Sequence, residues 1–336
     1  MSRTALVTGS AGFIGFHLAR RLLREGWRVA GIDALTDYYD PALKRRRLAL
    51  LEAADGYTHL TDRIEAPGVL ADLMAKHRPE AVLHLAAQAG VRHSIEAPRS
   101  YLESNIAGTF ELLEAARAHP PAHLLIASTS SVYGANEKMP YAECDRADHQ
   151  MSFYAASKKA TEAMAHSYAH LYGVPVTLFR FFTVYGPWGR PDMALFRFVS
   201  AMLEGRPIDV YNRGEMLRDF TYIDDLVEAV VRLIDAVPAT ERARAGDSLS
   251  PVAPWRVVNI GNAQPVKLGD FVAAVEAALG QEAEKRLLPM QPGDVPATWA
   301  DTTLLQALTG CRPGTPLETG VRAFVDWYLA EYRRQV

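Results

Sequence analysis

Short apolar runs alternate with longer helical patterns through the first half of the chain. Thr4–Thr8, Arg28–Asp33, Ala81–Leu85, Leu124–Ser128 and Val174–Phe181 have the length and composition of strands buried on both faces. In Phe13–Arg24, Ile14, Leu18 and Leu22 recur every fourth residue and share one face, which predicts an amphipathic helix. Tyr101–Ala118 and Ser152–Tyr172 predict two long helices. Strand and helix in alternation predict a doubly wound α/β fold with a parallel sheet. After about residue 180 the spacing loosens, and prolines such as Pro187, Pro207, Pro238 and Pro289 separate shorter elements. Pro238–Pro254 has no apolar period and is expected to be an exposed, mobile loop. The sequence has no internal repeat.

Composition narrows the class. The 336 residues suffice for a large core and two lobes. Hydrophobic content of 49% and charged content of 22% are ordinary for a globular enzyme. A net charge of −3 gives no reason to expect nucleic acid or an anionic membrane as partner. No apolar run approaches bilayer length, and the first strand begins at once without a basic and apolar leader. Cys144 and Cys311 lack metal-ligand spacing, so no metal is expected, and reduced thiols in a cytoplasmic protein are expected.

Gly9, Gly12 and Gly15 stand between the first strand and the first helix, and the second strand closes on Asp33. This strand, glycine turn, helix and acidic strand end form the dinucleotide fingerprint. Gly9 allows the tight turn, Gly12 lets backbone approach phosphate, and Gly15 lets helix and strand pack. The pyrophosphate then lies at the helix N-terminus, where unpaired N–H groups favour anions. Asp33 suits a ribose 2′-hydroxyl and repels a 2′-phosphate, which selects NAD over NADP. Lys44-Arg45-Arg46-Arg47 follows closely and reads as the solvated face of a helix starting near Pro41. The fold expected is therefore a Rossmann domain over 1–180, to which some later segments return, with a smaller C-terminal α/β substrate-binding lobe over 181–336.

Tyr154 and Lys158 are one helical turn apart. Free tyrosine titrates near ~10, too high for an efficient base at neutral pH. An ammonium and a nicotinamide cation nearby would stabilise the phenolate, so that Tyr154 takes a hydroxyl proton as the geminal hydrogen leaves as hydride. Lys158 would also bond the nicotinamide ribose. Thr129, Ser130 and Ser131 follow a strand's C-terminal end, where ligands collect in open α/β sheets. They offer three hydroxyls to orient a substrate, or to tie the loop's own backbone.

These segments together resemble the extended short-chain dehydrogenase/reductases, and among them the nucleotide-sugar epimerases of the UDP-glucuronate type. The resemblance is carried by Thr8–Gly15, Asp37–Pro41, His84–Arg92, Thr129–Gly134, Tyr154–Lys158, Arg180–Asp192, Arg218–Asp225 and Gln291–Asp301, and spans nearly the whole chain. It implies that Gly9, Gly12, Phe13, Ile14, Gly15, Asp33, Ala86, Ala87, Tyr154 and Lys158 contact NAD, with help from Asn105. It implies catalysis by Thr129, Tyr154 and Lys158. It implies substrate contacts from Arg92, Ser130, Ser131, Thr183, Arg190, Tyr211, Arg218 and Asp294, with Arg218 at the diphosphate, Arg190 close by, and Tyr211 and Asp294 near the uridine. Relatives commonly pair through the two long helices, which implies a homodimer. The third strand departs from the pattern: His59–Arg63 lacks the usual Asp-hydrophobic pair at the adenine, and Asp62 is the candidate there. Gln291 stands where UDP-galactose epimerases carry arginine.

Similar enzymes run epimerisation, decarboxylation or 4,6-dehydration from one 4-keto intermediate. Similar dehydratases carry an Asp-Glu pair directly after the threonine, and similar decarboxylases a Glu. Here both positions are serine, Ser130 and Ser131. The resemblance therefore implies inversion at C4 of a UDP-uronic acid, UDP-glucuronate to UDP-galacturonate, with the hydride returned from bound cofactor. Alternatives are a UDP-glucose/UDP-galactose 4-epimerase, a UDP-glucuronate decarboxylase, or an NAD-binding regulator without chemistry. The intact Thr129, Tyr154 and Lys158 speak against the last.

Overall fold

The computed structural model describes residues 2–239, 246–291 and 294–333. In chain order, β1 (Thr4–Thr8), α1 (Phe13–Arg24), β2 (Arg28–Ile32), α2 (Pro41–Glu52), β3 (Tyr57–Leu60), α3 (Val69–His77) and β4 (Ala81–His84) come first. Two short helices, α4 (His93–Glu96) and α5 (Pro98–Tyr101), lead through a π-helical stretch into α6 (Gly108–Ala118). Then follow β5 (His123–Thr129), α7 (Phe153–Tyr172), β6 (Val176–Phe181), β7 (Thr183–Tyr185), α8 (Ala194–Leu203), β8 (Ile208–Tyr211), β9 (Leu217–Tyr222) and α9 (Ile223–Ile234). The chain ends with β10 (Trp255–Ile260), β11 (Pro265–Lys267), α10 (Leu268–Leu279), β12 (Lys285–Leu288), β13 (Ala297–Thr298), α11 (Thr303–Thr309) and α12 (Leu317–Trp327).

Strands β1 to β6 and β10 form one sheet in the order β10-β6-β5-β4-β1-β2-β3, each pair parallel. Period-two alternation builds a core on each face. Ala5 and Val7 of β1 belong to one core with Phe16, Leu18 and Leu22 of α1, whereas Leu6 belongs to the other with Leu70 and Met74 of α3 and Leu112 of α6. All seven residues of β5 and all six of β6 are buried, as continuous apolar runs require. The doubly wound α/β fold read from the sequence is thus the fold observed. The chain returns to this sheet late, through β10 beside β6 and α9 against α1.

The remaining strands build a second region. β9 pairs with β11, β13 and β7, and β8 pairs with β12. Phe220 of β9 stacks on Phe271 of α10 with ring centroids 4.1 Å apart.

Two expectations are corrected. The single helix expected over Tyr101–Ala118 is broken by a π-helical stretch, Leu102–Ala107. There the widened turn carries the buried Asn105, and at the next residue, Gly108, a Cβ would overlap Ile64. The part of Pro238–Pro254 that the structure describes beyond residue 245 is not a free loop. Asp247 and Arg256 form a buried pair at 2.8 Å, and Ser250 and Ala253 are buried. The polar residues of this segment satisfy a charge on the edge strand β10, which local pattern does not reveal. Residues 240–245 of that segment lie outside the described residues.

Candidate active site

The C-terminal ends of β1, β4, β5 and β6 converge, and the sequence-predicted residues gather there. Gly9 has φ +70°, and a Cβ on it would stand 2.8 Å from the Ala86 nitrogen. A Cβ on Gly12 would crowd the Gly9 carbonyl at 3.0 Å, and one on Gly15 would overlap it. The turn therefore closes directly onto α1. Phe13, Ile14 and Gly15 form its first turn, which has no side-chain cap and no acidic residue. Those N–H groups are donors left for an anion. Asp33 accepts from Leu35 N at 2.8 Å and from Ala11 N in the glycine turn at 3.1 Å. The carboxylate thus supports the turn from the end of β2. The chain around this turn fits a dinucleotide.

The basic run after Pro41 is not a solvated face. Lys44 and Arg47 are buried, and only Arg45 is fully exposed. Lys44 Nζ donates to Thr36 O at 2.7 Å and to Thr36 Oγ1 at 2.9 Å. Burial lowers its pKa, and Asp33 opposes that shift. Lys44 thus lies within electrostatic reach of Asp33, the residue expected at the cofactor's ribose. The run is buried because the distant segment Pro187–Arg190 folds over α2.

The loop after β4 carries Ala86 and Ala87, both partly buried. Ala86 N donates to Thr8 Oγ1 at 3.1 Å, tying the loop to β1. The Asn105 amide is fully engaged: it accepts from Gln88 N at 2.8 Å and donates to Gln88 O and Ser157 Oγ. Asn105 fastens this loop to α7. Asp62 lies on the loop beyond β3, where it accepts from Arg63 N at 2.7 Å.

Tyr154, Lys158 and Glu162 follow one another at four-residue spacing on α7, whose start is capped by Ser152 accepting from Ala155 N at 3.1 Å. Tyr154 faces Tyr101 edge-on, with centroids 5.9 Å apart. Burial raises the pKa of its phenol, while Thr129 and Arg190 pull it down. Lys158 is buried and donates to Ala127 O at 2.9 Å. Burial lowers its pKa to about 8, with Glu162 opposing. The ammonium is thus turned toward β5, and Thr129 and Arg190 pull the phenol pKa down.

Glu162 was not anticipated. Both its oxygens meet Arg180, at 2.9 Å and 2.8 Å, and Ser128 Oγ donates to it at 2.7 Å. Burial opposes its ionisation, but Arg180 holds its pKa down. The signal was available: Arg180 interrupts an otherwise apolar strand, and a guanidinium there requires a buried partner.

Thr129, Ser130 and Ser131 sit at the end of β5. Thr129 Oγ1 donates to Ser131 Oγ and accepts from Ser131 N, each at 3.2 Å. Thr183 begins β7 and is partly buried. A second group lies on the β8 and β9 side. Arg92 stacks on Tyr211 at 4.7 Å and faces Asp294 at 3.5 Å. Arg218 donates to Leu217 O at 2.9 Å and interacts electrostatically with Asp294. Asp219 is fully buried and holds Asn262 N, Ala263 N and Ala300 N, fixing the strand that carries Arg218. Arg190 grips Asp192 with two nitrogens, and Tyr38 donates to the same carboxylate at 3.2 Å.

The arrangement offers an anion cradle, a tyrosine–threonine pair beside it, and a cationic and aromatic group beyond. Comparison with known proteins agrees. Residues 5–246 match the model of the NAD dependent epimerase/dehydratase family. A Rhizobium meliloti protein named "Probable UDP-glucuronate 4-epimerase" is 56% identical over 333 residues, 98% of each chain. The Arabidopsis thaliana protein "UDP-glucuronate 4-epimerase 4" is 46% identical over 98% of this chain and 76% of its own. The crystal structure of UDP-glucuronic acid 4-epimerase from Bacillus cereus, in complex with UDP-glucuronic acid and NAD, superposes with a TM-score of 0.86 at 32% identity, covering 96% of this chain and 98% of that one. This chain belongs to the NAD dependent epimerase/dehydratase family.

Proposed function

We propose that this chain is an NAD-dependent 4-epimerase that interconverts UDP-glucuronate and UDP-galacturonate. One observation carries the choice among the family's reactions: the two residues after Thr129, Ser130 and Ser131, are serines without a carboxylate, while Thr129 acts on the Tyr154 phenol. The relatives named above share that activity in name. NAD, when bound, takes the C4 hydride of the sugar and gives it back. Tyr154 accepts the C4 hydroxyl proton and later returns it, and Thr129 orients that hydroxyl. Lys158 holds its ammonium at the end of β5, within the cofactor side of the site. Ser130 and Ser131 supply no carboxylate that could eliminate water across C5–C6.

Arg92, Tyr211, Arg218 and Asp294 hold the UDP portion. Ser130, Ser131 and Thr183 hold the uronate carboxylate out of line with the C4 carbonyl, so that carbon dioxide is retained. Arg190 closes the site from the Tyr38 side. The Rossmann domain over 1–180 then supplies cofactor and chemistry, and the lobe over 181–336 supplies the nucleotide sugar. Leu102, Phe110, Phe153, Leu171 and Tyr172 are exposed on the two long helical segments, which supports pairing of two chains there. No helix among the described residues is long and apolar enough to cross a membrane; a cytoplasmic location is proposed with the enzyme reading.

The test is incubation with UDP-glucuronate followed by proton NMR. UDP-galacturonate without net NADH is the expected product. UDP-pentose as the main product would make the chain a decarboxylase, and turnover of UDP-glucose alone would make it a neutral-sugar epimerase.

A further inference from the structure

Arg47 has no role in the reading above, yet it is fully buried. NH1 donates to Ala11 O in the glycine turn at 3.0 Å and to Tyr39 Oη at 2.8 Å. NH2 donates to Trp188 O at 2.6 Å and Gly189 O at 3.2 Å. Nε has no partner, and no carboxylate forms an ion pair with this guanidinium among the described residues. Its acceptors are neutral oxygens.

Among the buried groups the charges do not balance: Lys44 and Arg47 face the carboxylate of Asp33. Lys44, Arg47 and Arg190 act on one another as like charges. Asp192 takes Arg190 on two oxygens. Among the described residues, Asp33 is the buried carboxylate acting on both Lys44 and Arg47, and Asp37, which also acts on Lys44, is exposed. A buried cation in excess is costly unless something neutralises it. Trp188 adds a second oddity. It is buried at φ +61°, a conformation bulky residues avoid, and Arg47 holds its carbonyl.

Both features converge on the glycine turn. Ala11 is gripped from two sides, its N–H by Asp33 at 3.1 Å and its carbonyl by Arg47 at 3.0 Å. We infer that Arg47 is the buried counter-charge of the cofactor's pyrophosphate, acting through the glycine turn without touching the phosphates. The excess positive charge under the turn is compensated when a dianionic pyrophosphate lies above it. The same side chain sets the Trp188–Gly189 segment that leads to Arg190. The inference rests on the cofactor half of the proposed function and is independent of which sugar is turned over.

The experiment measures binding to full-length protein stripped of nucleotide, with ADP-ribose and adenosine as probes. They share the adenosine moiety and differ in the pyrophosphate. Arg47→Gln should weaken ADP-ribose roughly tenfold or more, since a unit charge in a partly desolvated site is worth at least that much. Adenosine affinity should hardly change. Arg47→Lys keeps the charge and should retain the preference for ADP-ribose over adenosine. Equal losses for both probes in Arg47→Gln would make Arg47 a neutral staple between two loops and overturn the inference. Should Arg47→Gln fail to fold, Arg47→Lys decides: a retained ADP-ribose preference supports the counter-charge, and a lost one overturns it.

Discussion

Glu162→Gln tests how the reactive face of α7 is held. The carboxylate and the Arg180 guanidinium are 1% and 3% exposed and joined by two hydrogen bonds. At an effective dielectric near ~20, charges ~4 Å apart attract by about 4 kcal/mol. The amide removes that attraction and turns an NH2 toward the guanidinium, leaving Arg180 buried and unpaired. Breaking one side of a buried pair typically costs ~3–5 kcal/mol. For a domain stable by ~5–15 kcal/mol that is a large share. Urea unfolding should show it as a lower midpoint. Glu162→Leu combined with Arg180→Met should recover much of the loss, because an apolar pair leaves no stranded charge. A second readout reports on Lys158. Its pKa is lowered to about 8 by burial, and Glu162 opposes the lowering. Without that carboxylate the ammonium is lost at still lower pH. The alkaline limb of the rate profile should therefore move to lower pH in whatever variant protein folds. A midpoint within about 0.5 kcal/mol of the parent, as for an ordinary surface substitution, would refute the reasoning. So would an unmoved alkaline limb.

Three further outcomes follow from the site. Tyr154→Phe keeps the ring and removes the proton acceptor; turnover should fall ~10²–10⁴-fold while NAD binding, followed by fluorescence, persists. Gly15→Ala places a Cβ onto the Gly9 carbonyl; NAD should be lost on dialysis, and normal cofactor content would show that the turn yields. Glu143 accepts from Asn259 N at 2.8 Å, and burial raises its pKa to about 7. A raised folded pKa favours folding below the unfolded value and loses that benefit as pH rises through about 7. Allowing for its partial exposure, the difference is about 2 kcal/mol. Glu143→Gln should thus raise the thermal midpoint by several degrees at pH 8 and leave it unchanged at pH 4.5, as differential scanning fluorimetry can check.

Local pattern carried far in the first domain. The run Thr4–Thr8 and the fourfold spacing of Ile14, Leu18 and Leu22 match β1 and α1 residue for residue. These elements are specified by side chains a few positions apart. Charged side chains read differently. Lys44 and Arg47 share a helix with exposed Arg45, and nothing near them in the sequence marks two of the three as buried. Trp188 and Gly189, some 140 residues later, supply the carbonyls that make burial tolerable. Asp247 likewise looks like loop polarity until Arg256 is found against it.

By itself, the sequence determined the periodicities and the placing of glycines, Tyr154 and Lys158 at spacings that only a few conformations satisfy. Those depend on backbone geometry, which acts over one turn of helix or one pleat of strand. Tertiary structure decided which charges lie in a low dielectric and which carboxylate or carbonyl each one meets. It placed Glu162 between Ser128 and Arg180, turned Lys158 to Ala127 O, and set Arg190 against Asp192 and Arg218 near Asp294. Electrostatic energy depends on distance in space and on burial, and both are set by segments far apart in the chain.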